Sequence, residues 1–121
     1  MKKILLVEDD LFILDIYAHQ FKKEGYEVSV ATDGQMALEI IKNNCPDLLI
    51  LDIGLPKIDG WEVLKILRDD LKTKNLRVIV MSNNDQKESA ENITRFGVLK
   101  YFLKIEHTTD EIVKQVRAIL K

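Results

Sequence analysis

Leu48-Leu49-Ile50-Leu51-Asp52-Ile53-Gly54-Leu55-Pro56 is the stretch from which the fold can be read. Successive side chains of a strand point to opposite faces, so four apolar residues in a row predict a strand buried on both sides. Such strands belong to parallel sheets covered by helices, and this one ends on a lone carboxylate, Asp52. The same kind of run recurs at Ile4-Leu5-Leu6-Val7, Val78-Ile79-Val80-Met81 and Tyr101-Phe102-Leu103. Val28-Ser29-Val30-Ala31 is less uniformly apolar, which places it nearer a sheet edge.

Between these runs the apolar period changes from that of a strand to that of a helix. Over residues 10–24, Ile13, Ile16, Tyr17 and Phe21 supply an apolar side. Residues 34–43 follow Thr32-Asp33-Gly34-Gln35, read as a capping box, and carry Ala37, Leu38, Ile40 and Ile41 inward. Residues 60–70 present Val63, Leu64 and Leu67. Residues 86–95 are the most polar, with Ala90 and Ile93, then Phe96, as inward anchors, which predicts the most mobile helix. A second capping box, Thr108-Thr109-Asp110-Glu111, opens a last helix bearing Ile112, Val113, Val116, Ile119 and Leu120. Five strands alternating with five helices predict an α/β fold, a doubly wound five-stranded parallel sheet flanked by five helices.

Composition narrows the function classes. The 121 residues suit one domain over 1–121, with no output domain in this stretch. Hydrophobic residues at 46% and charged residues at 31% fit a globular chain, and a net charge of −2 without a basic run argues against direct nucleic-acid binding. The apolar runs are too short to span a membrane or to serve as a secretory signal. Cys45 is the only cysteine, which excludes an internal disulfide and fits a reducing cytoplasm.

In doubly wound sheets, ligands sit beyond the carboxyl ends of the strands. Those ends carry Glu8-Asp9-Asp10, Asp52, Ser82-Asn83-Asn84 and Lys104. Taken singly, each is an ordinary solvated loop residue, and Asp10 is well placed to cap the first helix. Together they are a chemical set. Neighbouring carboxylates at Asp9 and Asp52 either raise a pKa or recruit a cation, and a hard divalent ion with oxygen ligands such as Mg2+ suits them. Lys104 and the Ser82 hydroxyl can hold phosphate oxygens, and Asp52 can act as a nucleophile that accepts a phosphoryl group.

These residues, at these spacings, resemble the receiver (response-regulator) family of two-component signalling, over essentially the whole chain. Glu8-Asp9 matches the family's acidic pair, and Asp52 with the following Pro56 and Asp59-Gly60 matches its phosphorylation motif. Ser82, Tyr101 and Lys104 match its hydroxyl residue, switching aromatic and lysine. The resemblance implies a flavodoxin-like sheet in the order 2-1-3-4-5. It implies a metal site formed by Glu8 (through water), Asp9, Asp52 and the backbone carbonyl of Gly54. It implies that Asp52, Ser82 and Lys104 carry the phosphoryl chemistry and that Ser82 and Tyr101 switch. A sensor histidine kinase or phosphotransfer protein would be the donor. A downstream protein would bind the face of helix 4, strand 5 and helix 5, and the chain would be a monomer or a weak phosphorylation-dependent dimer, not a conventional enzyme.

Three departures stand out. Ile105 follows Lys104 where the family has a cis proline, so a trans bond is expected. Asn83 replaces a small residue beside the hydroxyl, and Gly54 leaves the site without a covering side chain, both bearing on phosphate lifetime. The competing readings are three. A haloacid-dehalogenase-type phosphatase needs a second Asp where Gly54 stands. A flavodoxin-like cofactor binder needs a phosphate loop where Glu8-Asp9-Asp10 would repel one. A degenerate receiver would act as a phosphorylation-independent binding module.

Overall fold

A computed structural model describes residues 1–83, 87–104 and 106–120, with backbone placement alone at 87–89. Its elements alternate as expected. They are β1 (Lys3–Val7), α1 (Leu11–Lys23), β2 (Glu27–Ala31), α2 (Gly34–Asn43), β3 (Leu48–Asp52), α3 (Gly60–Asp69), β4 (Val78–Ser82), α4 (Lys87–Arg95), β5 (Lys100–Leu103) and α5 (Thr109–Ile119). The five strands are all parallel, in the order β2-β1-β3-β4-β5. β2 is therefore an edge, and its half-exposed pattern follows from lacking a neighbour on one side. Among the described residues no helix is long and apolar enough to cross a membrane.

Strand alternation divides the core into two layers. Leu5, Val7, Leu49, Leu51, Val78 and Val80 face α2 and α3, with Ile93 of α4 packed against them. Ile4, Leu6, Leu48, Ile50, Ile79 and Met81 face α1 and α5. β3 and β4 are buried along their full length, as continuous apolar runs require.

The helices correct several expectations. On α1 the buried stripe is Leu14, Tyr17, Ala18 and Phe21, while Ile13 is half-buried and Ile16 is exposed. Residues 11–18 are apolar almost all round, so more than one face could have turned inward. The cap of α2 is Asp33, whose Oδ1 accepts the Met36 N–H at 2.8 Å; Thr32 lies one residue too early. Ala90 is exposed and Ile93 only half-buried, so α4 gains its apolar anchoring beyond its last turn, at Phe96 and Val98. Asp10 does cap α1, and Thr108 with Glu111 forms the capping box of α5. The Lys104–Ile105 bond and Asn84 lie outside the described residues.

Candidate functional site

Register brings the strand ends together. Val7 pairs with Leu51, so Glu8 follows beside Asp52; Asp52 pairs with Met81, and Ser82 with Leu103. The Lys104 N–H donates to the Ser82 carbonyl at 2.9 Å and continues the ladder one residue past β5. A cleft of about 350 Å³ opens there, lined by Glu8, Asp9, Asp52, Gly54 and Ser82, with Trp61 and Asn83 at its walls.

The carboxylates differ in their surroundings because alternation continues past the end of β1. Glu8 is buried and Asp9 is exposed. Glu8 Oε1 accepts the Asp10 N–H at 3.3 Å, and Oε2 accepts from Lys104 Nζ at 2.5 Å. Asp52 is also buried. Its Oδ1 accepts the Gly54 N–H at 3.2 Å, and its Oδ2 lies 3.3 Å from Lys104 Nζ. One ammonium thus bridges two buried carboxylates.

Electrostatics follow from that count. Burial pushes the Glu8 carboxyl up to about 7, and the Asp52 charge adds to the rise against the opposing Lys104 hydrogen bond. Burial pulls the Lys104 ammonium down, but its hydrogen bond to Glu8 and the charges of Asp52 and Glu8 outweigh it, and the net direction is upward. Glu8, Asp9 and Asp52 each offer a carboxylate oxygen within 4.8 Å of the others. Three converging hard oxygen donors, with only the Lys104 ammonium against them among the described residues, fit a divalent cation of the Mg2+ kind.

The structure therefore brings Glu8, Asp9, Asp52 and Ser82 around one cleft, as the strand-end reading expected, and Gly54, which only the resemblance implied, lines it too. Lys104 joins them by contact without lining the cleft; it borders a neighbouring cavity shared with Tyr17 and His107. Tyr101 stands apart on β5, half-buried against the apolar layer that faces α2 and α3. Two features escaped sequence reasoning. The direct Glu8–Lys104 pair joins residues 96 positions apart, and its partners were expected to meet a metal and a phosphate instead. Trp61 lies beside the Asp52 loop at the cleft wall and also stacks on Phe96, with centroids 6.4 Å apart and planes 24° apart. No local pattern announces a pair so distant in sequence.

Gly60 explains how the loop after β3 stays close to α3. A Cβ built on it would lie 2.8 Å from the Asp52 carbonyl oxygen and 2.7 Å from Ile53 Cα, so only glycine lets the helix start against the acceptor's own backbone. Asp59 caps that helix by accepting the Glu62 N–H at 2.9 Å. Lys57, in the same loop, takes a φ of 66°, and its Nζ sits 3.5 Å from Asp33 Oδ2 on the loop before α2.

Comparison with known proteins agrees with this fold. Residues 4–117 match the response regulator receiver domain family. Sporulation initiation phosphotransferase F of Bacillus subtilis is 34% identical over 119 residues, covering 98% of this chain and 94% of that protein. A CheY-like response regulator receiver domain protein from Methanospirillum hungatei superposes with a TM-score of 0.91 at 27% identity, covering 99% of this chain and 94% of that one. The response regulator TrrA of Thermotoga maritima, solved in complex with Mg2+ and BeF, gives a TM-score of 0.82 at 30% identity, with 98% of each chain covered.

Proposed function

The chain belongs to the response regulator receiver domain family, and from that premise we propose that it accepts a phosphoryl group on Asp52 in a phosphorelay and thereby switches a protein-binding surface. The observation that carries this reading is the placement of Asp52. It is buried at the floor of an open cleft, within ligand distance of Glu8 and Asp9 and bridged by Lys104.

The donor is a phosphohistidine on a sensor histidine kinase or a phosphotransfer protein. An Asp52 carboxylate oxygen forms the new P–O bond as the donor's P–N bond breaks, and the electron pair of that bond stays on the imidazole nitrogen. Asp9, Asp52 and the Gly54 carbonyl would hold Mg2+, with Glu8 acting through water, and the ion would supply neutralising charge for the phosphoryl oxygens. Lys104 exchanges Glu8 for a phosphoryl oxygen, and the Ser82 hydroxyl donates to another. Ser82 and Tyr101 then carry the change toward α4, β5 and α5, the face proposed for the downstream protein, with the chain a monomer or a weak dimer when phosphorylated. BeF bound with Mg2+ in TrrA supports the choice of ion.

The test is direct. The protein is incubated with Mg2+ and a small phosphodonor, and the adduct is located by mass spectrometry. A single phosphoryl adduct on Asp52, abolished by chelator and by Asp52→Ala, is expected. Labelling of Asp52→Ala equal to that of the wild type, or none in either, would refute the proposal.

A further inference from the structure

α4 is held in an unusual way. Its described residues 90–95 are exposed or half-buried, and none is part of the buried core. Among the described residues its buried anchors lie just past its end, at Val98 and, directly after the last turn, at Phe96. Two side chains of α3 grip that residue. Trp61 stacks on its ring at 6.4 Å, and Arg68 Nε donates to its carbonyl at 2.7 Å. Trp61 and Arg68 are seven residues apart, about two helical turns, so they project from the same face of α3. Arg68 is itself fixed, since Nη1 donates to the Leu76 carbonyl at 2.7 Å and to those of Thr73 and Lys74 at 3.3 and 3.2 Å. The Arg95 guanidinium lies 5.2 Å from the centroid of the Phe96 ring and adds a cation–π contact.

The other end of the same helix reports on the cleft. Trp61 is part of the cleft wall, and Gly60 lies directly against the Asp52 carbonyl. A shift of the Asp52 loop must therefore move the start of α3, because packed backbone does not yield elastically.

We propose that Phe96 is a positioning residue: its stack on Trp61 ties the C-terminal end of α4 to α3, so that occupancy of the Asp52 cleft is passed to the α4–β5 corner through α3. The link between α3 and Phe96 stands on the geometry alone; the statement about occupancy rests on the phosphoryl-accepting reading. Coupling of this kind needs a contiguous packed network, and Asp52, Gly60, Trp61 and Phe96 provide one.

Trp61 is the only tryptophan of the chain, so its emission reads the stack without a label. Phe96→Leu removes the ring while keeping apolar bulk, and Phe96→Tyr keeps the ring. Without any ligand, Phe96→Leu is expected to shift Trp61 emission. It should also speed exchange of the Phe96 and Val98 amides, which donate to the Asn92 and Ile93 carbonyls at 2.9 and 3.0 Å, by about tenfold or more. Amides of β1 should be unaffected, and Phe96→Tyr should restore the wild-type values. With Mg2+ and beryllofluoride, binding followed by fluorine NMR should be equal in wild type and Phe96→Leu, while the accompanying change in α4 amide exchange should be severalfold larger in wild type and Phe96→Tyr than in Phe96→Leu, where only the Ser82–Tyr101 route remains. An α4 response in Phe96→Leu equal to that of wild type would overturn the inference, as would unchanged exchange at Phe96 and Val98 in the ligand-free variant. If beryllofluoride fails to bind wild type, the phosphoryl-accepting reading falls along with the occupancy half of the inference, and the ligand-free arm still decides whether Phe96 anchors α4.

Discussion

Gly60→Ala tests whether the acceptor loop is set by backbone contact. The added methyl would lie 2.6 Å from Ile53 Cδ1, 2.7 Å from Ile53 Cα and 2.8 Å from the Asp52 carbonyl oxygen. The Ile53 tip can rotate away, but the other two atoms belong to the chain that carries the acceptor. An ordinary carbon contact is about 3.5 Å, so the loop must retreat by roughly 0.8 Å. Overpacking on this scale costs about 1–3 kcal/mol, and the entropy that alanine removes from the unfolded chain returns about 0.4–1 kcal/mol. A net loss of about 1–2 kcal/mol should lower the melting temperature by roughly 3–10 °C. The functional loss should be larger, because a displacement near 1 Å at a reacting group costs on the order of a hundredfold in rate. Urea unfolding followed by Trp61 emission gives the first number, and the rate of Asp52 labelling by a small phosphodonor gives the second. Gly54→Ala is the control: nothing lies within 4 Å of its built Cβ, and it should change stability by less than about 0.5 kcal/mol. A Gly60→Ala protein that matches wild type in both assays, or a Gly54→Ala protein that loses as much stability, would refute the steric argument.

Two further outcomes follow from the buried charges. Lys104→Met leaves Glu8 and Asp52 buried without their ammonium; it should melt lower than wild type in chelator by an amount worth about 1–3 kcal/mol, less than a fully broken pair because Glu8 can take up a proton, and Mg2+ should recover most of the loss. Parallel melting of the two proteins with and without Mg2+ would contradict this. Glu8 is held near 7 in the folded chain against an ordinary 4.5, so between those values the folded state keeps a proton that the unfolded state has released, and stability falls as pH rises through that window and levels off above it. Urea titrations in chelator from pH 5 to pH 8 should show that fall in wild type relative to Glu8→Gln, and curves that stay parallel would refute the assignment.

The strands were legible because burial on both faces leaves a run of apolar residues that needs no partner to be recognised, as at Leu48–Leu51. The face of α1 was not, because residues 11–18 offer apolar side chains in nearly every direction and only packing against the sheet and α5 selects Leu14 over Ile16. The α2 cap was misplaced by one residue because Thr32, Asp33 and Gln35 satisfy two overlapping cap patterns, and backbone geometry chooses Asp33. At the site, topology alone brought Glu8, Asp9, Asp52, Ser82 and Lys104 to one end of the sheet. What it could not supply was pairing among them. That Lys104 meets Glu8 more closely than Asp52 depends on how the chain turns after β5. The Trp61–Phe96 stack depends on the approach of α3 to the end of α4, which no periodicity encodes.

The charge count at the cleft orders the proposed events. Glu8, Asp9 and Asp52 carry three negative charges and Lys104 one positive, a local balance of −2 when all are ionised. A phosphoryl group brings nearly two more negative charges, and a cleft at −2 repels it, the more so because Glu8 and Asp52 are buried and poorly screened. A divalent cation brings the balance to zero before transfer. Conversion of the Asp52 carboxylate to an acyl phosphate then removes one carboxylate charge as the phosphoryl group arrives, leaving the filled site near −1. On this count the cation is a condition for transfer rather than an accelerator added to it. Lys104 alone, committed to Glu8 at 2.5 Å, cannot take its place, because freeing its ammonium for the phosphoryl group leaves a buried carboxylate unpaired. The raised Glu8 carboxyl eases that exchange: near neutral pH it can accept a proton as the ammonium leaves.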